Sequence, residues 1–191
     1  MANDSTVAGY LLPAAQPAPL EDVAFREFIQ QVIVGVTAMD PTMVRPRWQP
    51  EAVNLPDYAT DWCAFGTIRR RRETFPYVAR LTNDTGDELD RNEELDILCS
   101  FYGPNAEANS TLLSDGIQIG QNLDVLFNAG MQLVETGEPL VVPELIKQRW
   151  WYRVDIMLVI RRHIHRVYPV RSLVEAVGAI EVPIDTITVQ P

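Results

Sequence analysis

The run from Arg149 to Tyr168, RWWYRVDIMLVIRRHIHRVY, alternates in side-chain character from end to end. Tyr152, Val154, Ile156, Leu158, Ile160, Arg162 and Ile164 fall on one side of an extended chain. Trp151, Arg153, Asp155, Met157, Val159, Arg161 and His163 fall on the other. A period of two fits one uninterrupted β-strand. At about 3.3 Å per residue it would reach on the order of 50 Å, against roughly five or six residues for an ordinary strand. A small domain cannot flank such a strand along its whole length, so part of it is expected to cross a subunit boundary. The even-numbered face should be core up to Ile160. Beyond it, Arg161, Arg162, His163, His165 and Arg166 should mark where the strand leaves its own subunit. That points to an assembly component more than to a self-contained enzyme.

The chain has 191 residues and a hydrophobic fraction of 47%, enough for one domain with a proper core. Its net charge of −10 argues against a protein that grips duplex DNA, where affinity comes from neutralised phosphates. Lys147 is the only lysine, so the positive charge is nearly all arginine, whose rigid fork suits carboxylate pairs at interfaces. Cys63 and Cys99 give neither a disulfide framework nor metal spacing and read as small buried hydrophobes. The N-terminus lacks a basic region before its apolar patch, and no run approaches a membrane span of about 20 apolar residues. A soluble, unsecreted protein is expected.

Residues 1–19 read as a flexible N-terminal arm, 20–170 as a single α+β domain, and 171–191 as a C-terminal extension or edge strand. Glu21 and Asp22 precede Phe25, Phe28, Ile29, Val32, Ile33 and Val36 at helical spacing, which predicts a first helix ending near Gly35. Prolines 41, 46, 50 and 56 make 38–60 an extended connection. Within it, Arg45, Arg47 and Trp48 form either an interface anchor or a flap over the core. Segments 61–81 and 89–102 read as the arms of a long β-hairpin with a polar tip. Its first arm carries Arg69, Arg70, Arg71 and Arg72; its tip and second arm carry Asp84, Asp87, Glu88, Asp90, Glu93, Glu94 and Asp96. These charges pair across the hairpin or meet patches on neighbouring subunits. A second helix is expected with Leu112, Leu113, Gly116, Ile119, Gly120, Leu123 and Phe127 on one face, the two glycines allowing close approach of another backbone. A shorter strand follows over Met131 to Thr136. The fold class is thus α+β: a mostly antiparallel sheet with a long β-hairpin and two to three helices on one face.

The sequence has no phosphate loop, dinucleotide fingerprint, nucleophile elbow or zinc signature. His163 and His165 form an H-x-H on one strand face, but Arg161 shares that face and no nearby acid or cysteine is expected to complete a ligand set. The acids of 84–96 lack the register of a calcium loop. No enzyme, cofactor or metal site is expected.

In order, MVRPRWQPE (43–51), RRRETFPY (70–77), ELDILCSFYGP (94–104) and QRWWYRVDIMLVIRR (148–162) resemble the neck or tail terminator proteins of long-tailed bacteriophages, over about Leu20 to Tyr168. The resemblance implies a cofactor-free virion protein, made in the host cytoplasm. It would form a homo-oligomeric ring, typically a hexamer, at the head-proximal end of the tail. The ring would stop growth of the tail tube, and of the sheath in a contractile tail. It would also present a surface to a head completion or connector protein. A head completion protein is the alternative. On this reading Arg45, Arg47, Trp48, Arg69–Arg72, Arg161, Arg162 and Arg166 meet subunits or partners. Asp84, Asp87, Glu88, Asp90 and Glu93 face a channel through which DNA passes without specific binding. Arg161→Glu or Arg162→Glu should then weaken ring or tail joining while the subunit stays folded.

Overall fold

Two antiparallel strands of equal length form the spine of the molecule, and their alternating side chains divide everything else into two sides. The computed structural model describes residues 9–14, 19–49, 54–81 and 86–170. In chain order the elements are α1 (Asp22–Thr37), a 3-10 turn (Pro41–Met43), β1 (Val44–Pro46), β2 (Trp62–Arg72), β3 (Tyr77–Arg80), β4 (Asp87–Tyr102), α2 (Ala106–Gly116), α3 (Gly120–Asn128), β5 (Met131–Thr136), β6 (Leu140–Val141), β7 (Glu144–Ile146), β8 (Arg149–Trp151) and β9 (Arg153–Tyr168). Most of the arm, Asp84 and the segment 171–191 lie outside the described residues. Ala14 of the arm donates its N–H to the Val167 carbonyl of β9 at 2.7 Å.

The main sheet runs β1-β2-β4-β9-β5, with β3 also on β4 and β6 also on β9. Among the described residues only β1 and β2 are parallel. Pro46 sits in β1 at the sheet edge, where a missing N–H breaks no ladder. β4 and β9 pair from Asp87↔Tyr168 to Tyr102↔Arg153 without a register shift. The α+β, mostly antiparallel class is therefore the observed one.

The long strand departs from its expected form in two ways. It breaks at Tyr152, and β8 leaves the main sheet to pair with β7. The connecting residues Lys147 and Gln148 have φ of 47° and 63°. Two consecutive positive φ values are what a two-residue I′ hairpin requires. The alternation runs straight through this break because Trp151 and Tyr152 happen to continue it. Second, β9 does not leave its own subunit after Ile160. Its partner β4 is just as long, and Arg162 and Ile164 are buried inside the same chain.

One face of the sheet holds the core. Cys63 and Phe65 of β2, Leu95, Ile97, Cys99 and Phe101 of β4, and Val154, Ile156, Leu158 and Ile160 of β9 pack beneath the helices. The helices contribute Phe25, Ile29, Val32 and Ile33 from α1, Ala106 and Leu113 from α2, Leu126 from α3, and Ile117 between α2 and α3. Each fully buried side chain of this size stabilises by about 1.5–3 kcal/mol. Both cysteines are free and buried here, and burial pushes the Cys63 thiol far above its usual range.

The second helical region divides in two, α2 and α3 (separated at 117–119), because the apolar spacing changes phase. Its buried set is Ala106, Ser110, Leu113, Ile117 and Leu126, while Leu112, Ile119 and Phe127 of the expected face are exposed. Gly116 does permit a close approach: a Cβ there would lie 2.5 Å from Val36 Cγ1 of α1. Gly120 has open space around it and plays no such part.

Candidate functional site

Every charged residue assigned from the sequence to an interface or a channel, other than Arg45, Arg47 and Asp84, lies on β2, β4 or β9, so strand parity decides its surroundings. Core residues on β4 are odd-numbered and those on β9 even-numbered. Glu93 and Arg162 thus point to the helix side, and Asp90, Glu94, Asp96, Arg161, His163 and His165 to the opposite, outer side. On β2 the register shifts by one between Thr67 and Arg69, leaving Ile68 as an extra residue. Such a bulge reverses parity. Past it, Arg70 and Arg72 stand opposite Leu95 and Glu93, while Arg69 and Arg71 stand opposite Asp96 and Glu94.

On the helix side, Glu93 lies between Arg72 and Arg162, with Arg162 Nη2 at 2.8 Å and Arg72 Nε closer still. The side chains of Glu93 and Arg162 are 0% and 1% exposed. Arg162 also donates to the Leu20 carbonyl, approaches Glu21 at 3.5 Å and sits 5.7 Å from the Phe25 ring centre. It ties the start of α1 to the sheet. Neither residue reaches solvent from this position, so Arg162 is not a surface cation and Glu93 is not a channel-facing acid in this subunit. Both were placed outside because a charged residue normally avoids burial; mutual pairing overrides that. Arg166 lies near the same cluster, 3.7 Å from Glu21.

On the outer side the pairs form a partly exposed ladder. Glu94 meets Arg161 at 2.5 Å and Arg71 at 3.3 Å, and Arg71 reaches Asp96 at 2.6 Å. The hydrogen bond from Arg161 holds the Glu94 carboxyl below its usual range. Asp87 pairs with Arg80 at 2.8 Å, and Glu88 is half-buried on β4. Arg69 and Arg70 are exposed and have no ion-pair partner among the described residues.

Further along, Asp90 Oδ1 is 2.7 Å from His165 Nδ1 and 3.0 Å from His163 Nε2. The H-x-H therefore does have an acid, supplied across the β4–β9 ladder by a residue 75 positions from His165. Hydrogen bonding, chiefly from His165, keeps the Asp90 carboxyl below its usual range.

The other end of the outer face is covered. Trp62, Ala64, Tyr102 and Trp151 form a second cluster under the β7–β8 hairpin, with Ile146 and Met43 against it. Trp62 and Tyr102 stack at 4.2 Å with 6° between their planes. Tyr102 donates to Glu144 at 3.0 Å, and burial pushes its hydroxyl up to about 12. A polar chain runs beside it: Arg47 donates to Ser100, Ser100 to Asp155, and Arg153 to both Asp155 and Glu144. Burial works to raise the Asp155 carboxyl, but bonds from Arg153 and Ser100 outweigh it and hold it low.

Arg47 is thus committed within the subunit, and Arg45 donates to the Thr42 and Asn54 carbonyls. Trp48 remains 70% exposed. Its ring edge lies over Gly66 of β2, where a Cβ would come within 2.9 Å of Cζ3. It leans on the outer face without joining the helix-side core. Other large exposed apolar side chains are Phe75, Tyr77 and Val78 around β3, Phe127 on α3, and Leu145 and Trp150 on the β7–β8 hairpin.

Residues 23–190 match a family model described as phage neck terminator protein. The match continues through the C-terminal residues, past the Tyr168 limit drawn from the sequence motifs. No curated protein matches the chain.

Proposed function

Since the chain belongs to the phage neck terminator protein family, and so has a structural role at the neck of a virion, we propose that it closes the head-proximal end of the tail as a homo-oligomeric ring. In this role it caps the tail tube, and the sheath if the tail contracts, and offers its opposite surface to a head completion or connector protein. The observation that carries the reading is the family match over residues 23–190. Exposed apolar side chains on β3, α3 and the β7–β8 hairpin support it, because they lie on separate elements, as contacts with several neighbours require.

Within the ring, Trp48, Arg69 and Arg70 are the partner-facing residues: they are exposed, and the two arginines lack ion-pair partners among the described residues. Arg161 and Arg166 contribute what their local pairs leave accessible. Such a lumen would receive Asp87 and Glu88, half-buried at the first residues of β4. Stoichiometry is tested by size-exclusion chromatography with light scattering, where a persistent monomer at high concentration would count against a ring. Position in the neck is tested by lysates lacking the protein. Over-long or unjoined tails support termination; normal-length tails beside leaking, unjoined heads assign it to head completion instead.

A further inference from the structure

We propose that Asp90, His163 and His165 form a binding site for a borderline first-row divalent cation such as Zn²⁺, Co²⁺ or Ni²⁺. One donor atom from each residue lies within 4.8 Å of the other two. His163 and His165 are two apart on β9, so their rings leave the same face, and register places Asp90 directly opposite His165. Two imidazoles and one carboxylate are a donor set for these metals, whereas Mg²⁺ and Ca²⁺ favour oxygen ligands.

The surroundings orient the ligands. His163 Nδ1 is 3.4 Å from Asn92 Oδ1, which leaves Nε2 directed at Asp90. Asn92 is itself fixed by Glu73, whose carboxylate accepts from the Asn92 side chain at 3.0 Å and from its backbone N–H at 2.9 Å. A metal-bound histidine characteristically has its second nitrogen held in this way. Arg161 shares the face, but its guanidinium is engaged by Glu94. An incoming cation would lie between the Asp90 carboxylate and the two ring nitrogens that face it. Coordination uses the lone pair of His163 Nε2 and of His165 Nδ1, with each ring's proton on its other nitrogen. The three ligands lie on an exposed strand face, so the remaining coordination positions are open to water.

The chain contains only two histidines, both in this cluster, which makes the test unusually direct. Untagged full-length protein, stripped with chelator, is titrated with ZnCl₂ by calorimetry and with CoCl₂ by visible absorption. One equivalent of Zn²⁺ should bind, and Co²⁺ should give ligand-field bands of a nitrogen-containing site. His163→Ala, His165→Ala and Asp90→Asn should each weaken Zn²⁺ binding at least tenfold with circular dichroism unchanged. Asn92→Ala, which leaves every ligand in place, should weaken it less. Failure of the folded parent to bind, or undiminished binding in the His163→Ala/His165→Ala double variant, would overturn the assignment.

Discussion

Glu93 and Glu94 are adjacent, and each meets one arginine from β2 and one from β9. Glu93 has Arg72 and Arg162; Glu94 has Arg71 and Arg161. The surroundings differ completely. The Glu93 and Arg162 side chains are almost fully enclosed, whereas 27% of Glu94 and 49% of Arg161 is open to solvent. Similar ion pairs therefore have different consequences. In the interior a charge without its partner is strongly destabilising; at the surface water replaces the lost partner. The helix-side cluster belongs to folding, and the outer ladder is available for neighbours.

The most severe test of that contrast is Glu93→Ala, which strands Arg162 under α1. It should cost about 3–5 kcal/mol, read as a lower urea midpoint, whereas Glu94→Ala should cost under about 1 kcal/mol. Equal losses would erase the distinction. The same reasoning reverses the earlier expectation for Arg162→Glu: a second buried acid beside Glu93 should unfold the subunit before any joining defect appears. Replacing both partners, with Glu93→Leu and Arg162→Met, should recover most of the stability lost in Glu93→Ala, because no buried charge is left alone.

A smaller effect sharpens the outer face itself, whose covered end should behave like interior. Tyr102 has a folded pKa of about 12, above the unfolded value near 10. Its contribution is therefore complete below about pH 10 and is lost as pH rises toward 12, amounting to about 2–3 kcal/mol. Tyrosinate absorbance during a base titration should show a late step near pH 12 that Tyr102→Phe removes. Smallest of all is Arg161→Glu. The subunit should stay folded and lose under about 1 kcal/mol, with circular dichroism unchanged. A selective fall in ring assembly or tail joining would then assign Arg161 a contact outside its own subunit.

The elements were legible where a local pattern suffices. Helical spacing from Phe25 to Val36 located α1, and the short strand Met131–Thr136 was read at its observed bounds. The reading failed where the outcome depended on distant partners. The break at Tyr152 follows from the β7–β8 turn, whose positive φ values fall on Lys147 and Gln148, residues that do not advertise them. The division of α2 from α3 followed a phase change that a single helical face averaged over. The charged residues show the same limit. Their alternation was visible, but the β4–β9 register was not, so neither the burial of Arg162 against Glu93 nor the meeting of Asp90 with His163 and His165 could be read locally. A bulky charged residue near the end of an apolar face ordinarily marks the end of that face. Here the face continued by burying the charge with a partner.

The extra residue at Ile68 gives the arginine run a property beyond its charge. If the β2–β4 ladder continued without that insertion, Glu93 would face Arg71 and Glu94 would face Arg70. With it, they face Arg72 and Arg71. Either phase presents an arginine to each of these two acids, because four identical side chains occupy consecutive positions. The run tolerates a slip in one direction: with the inserted position removed, Glu93 and Glu94 would still face arginines, although Asp96 would then face Ile68. Strand pairing that would otherwise demand single-residue accuracy can absorb an insertion, while the core ahead of the bulge keeps its own strict alternation.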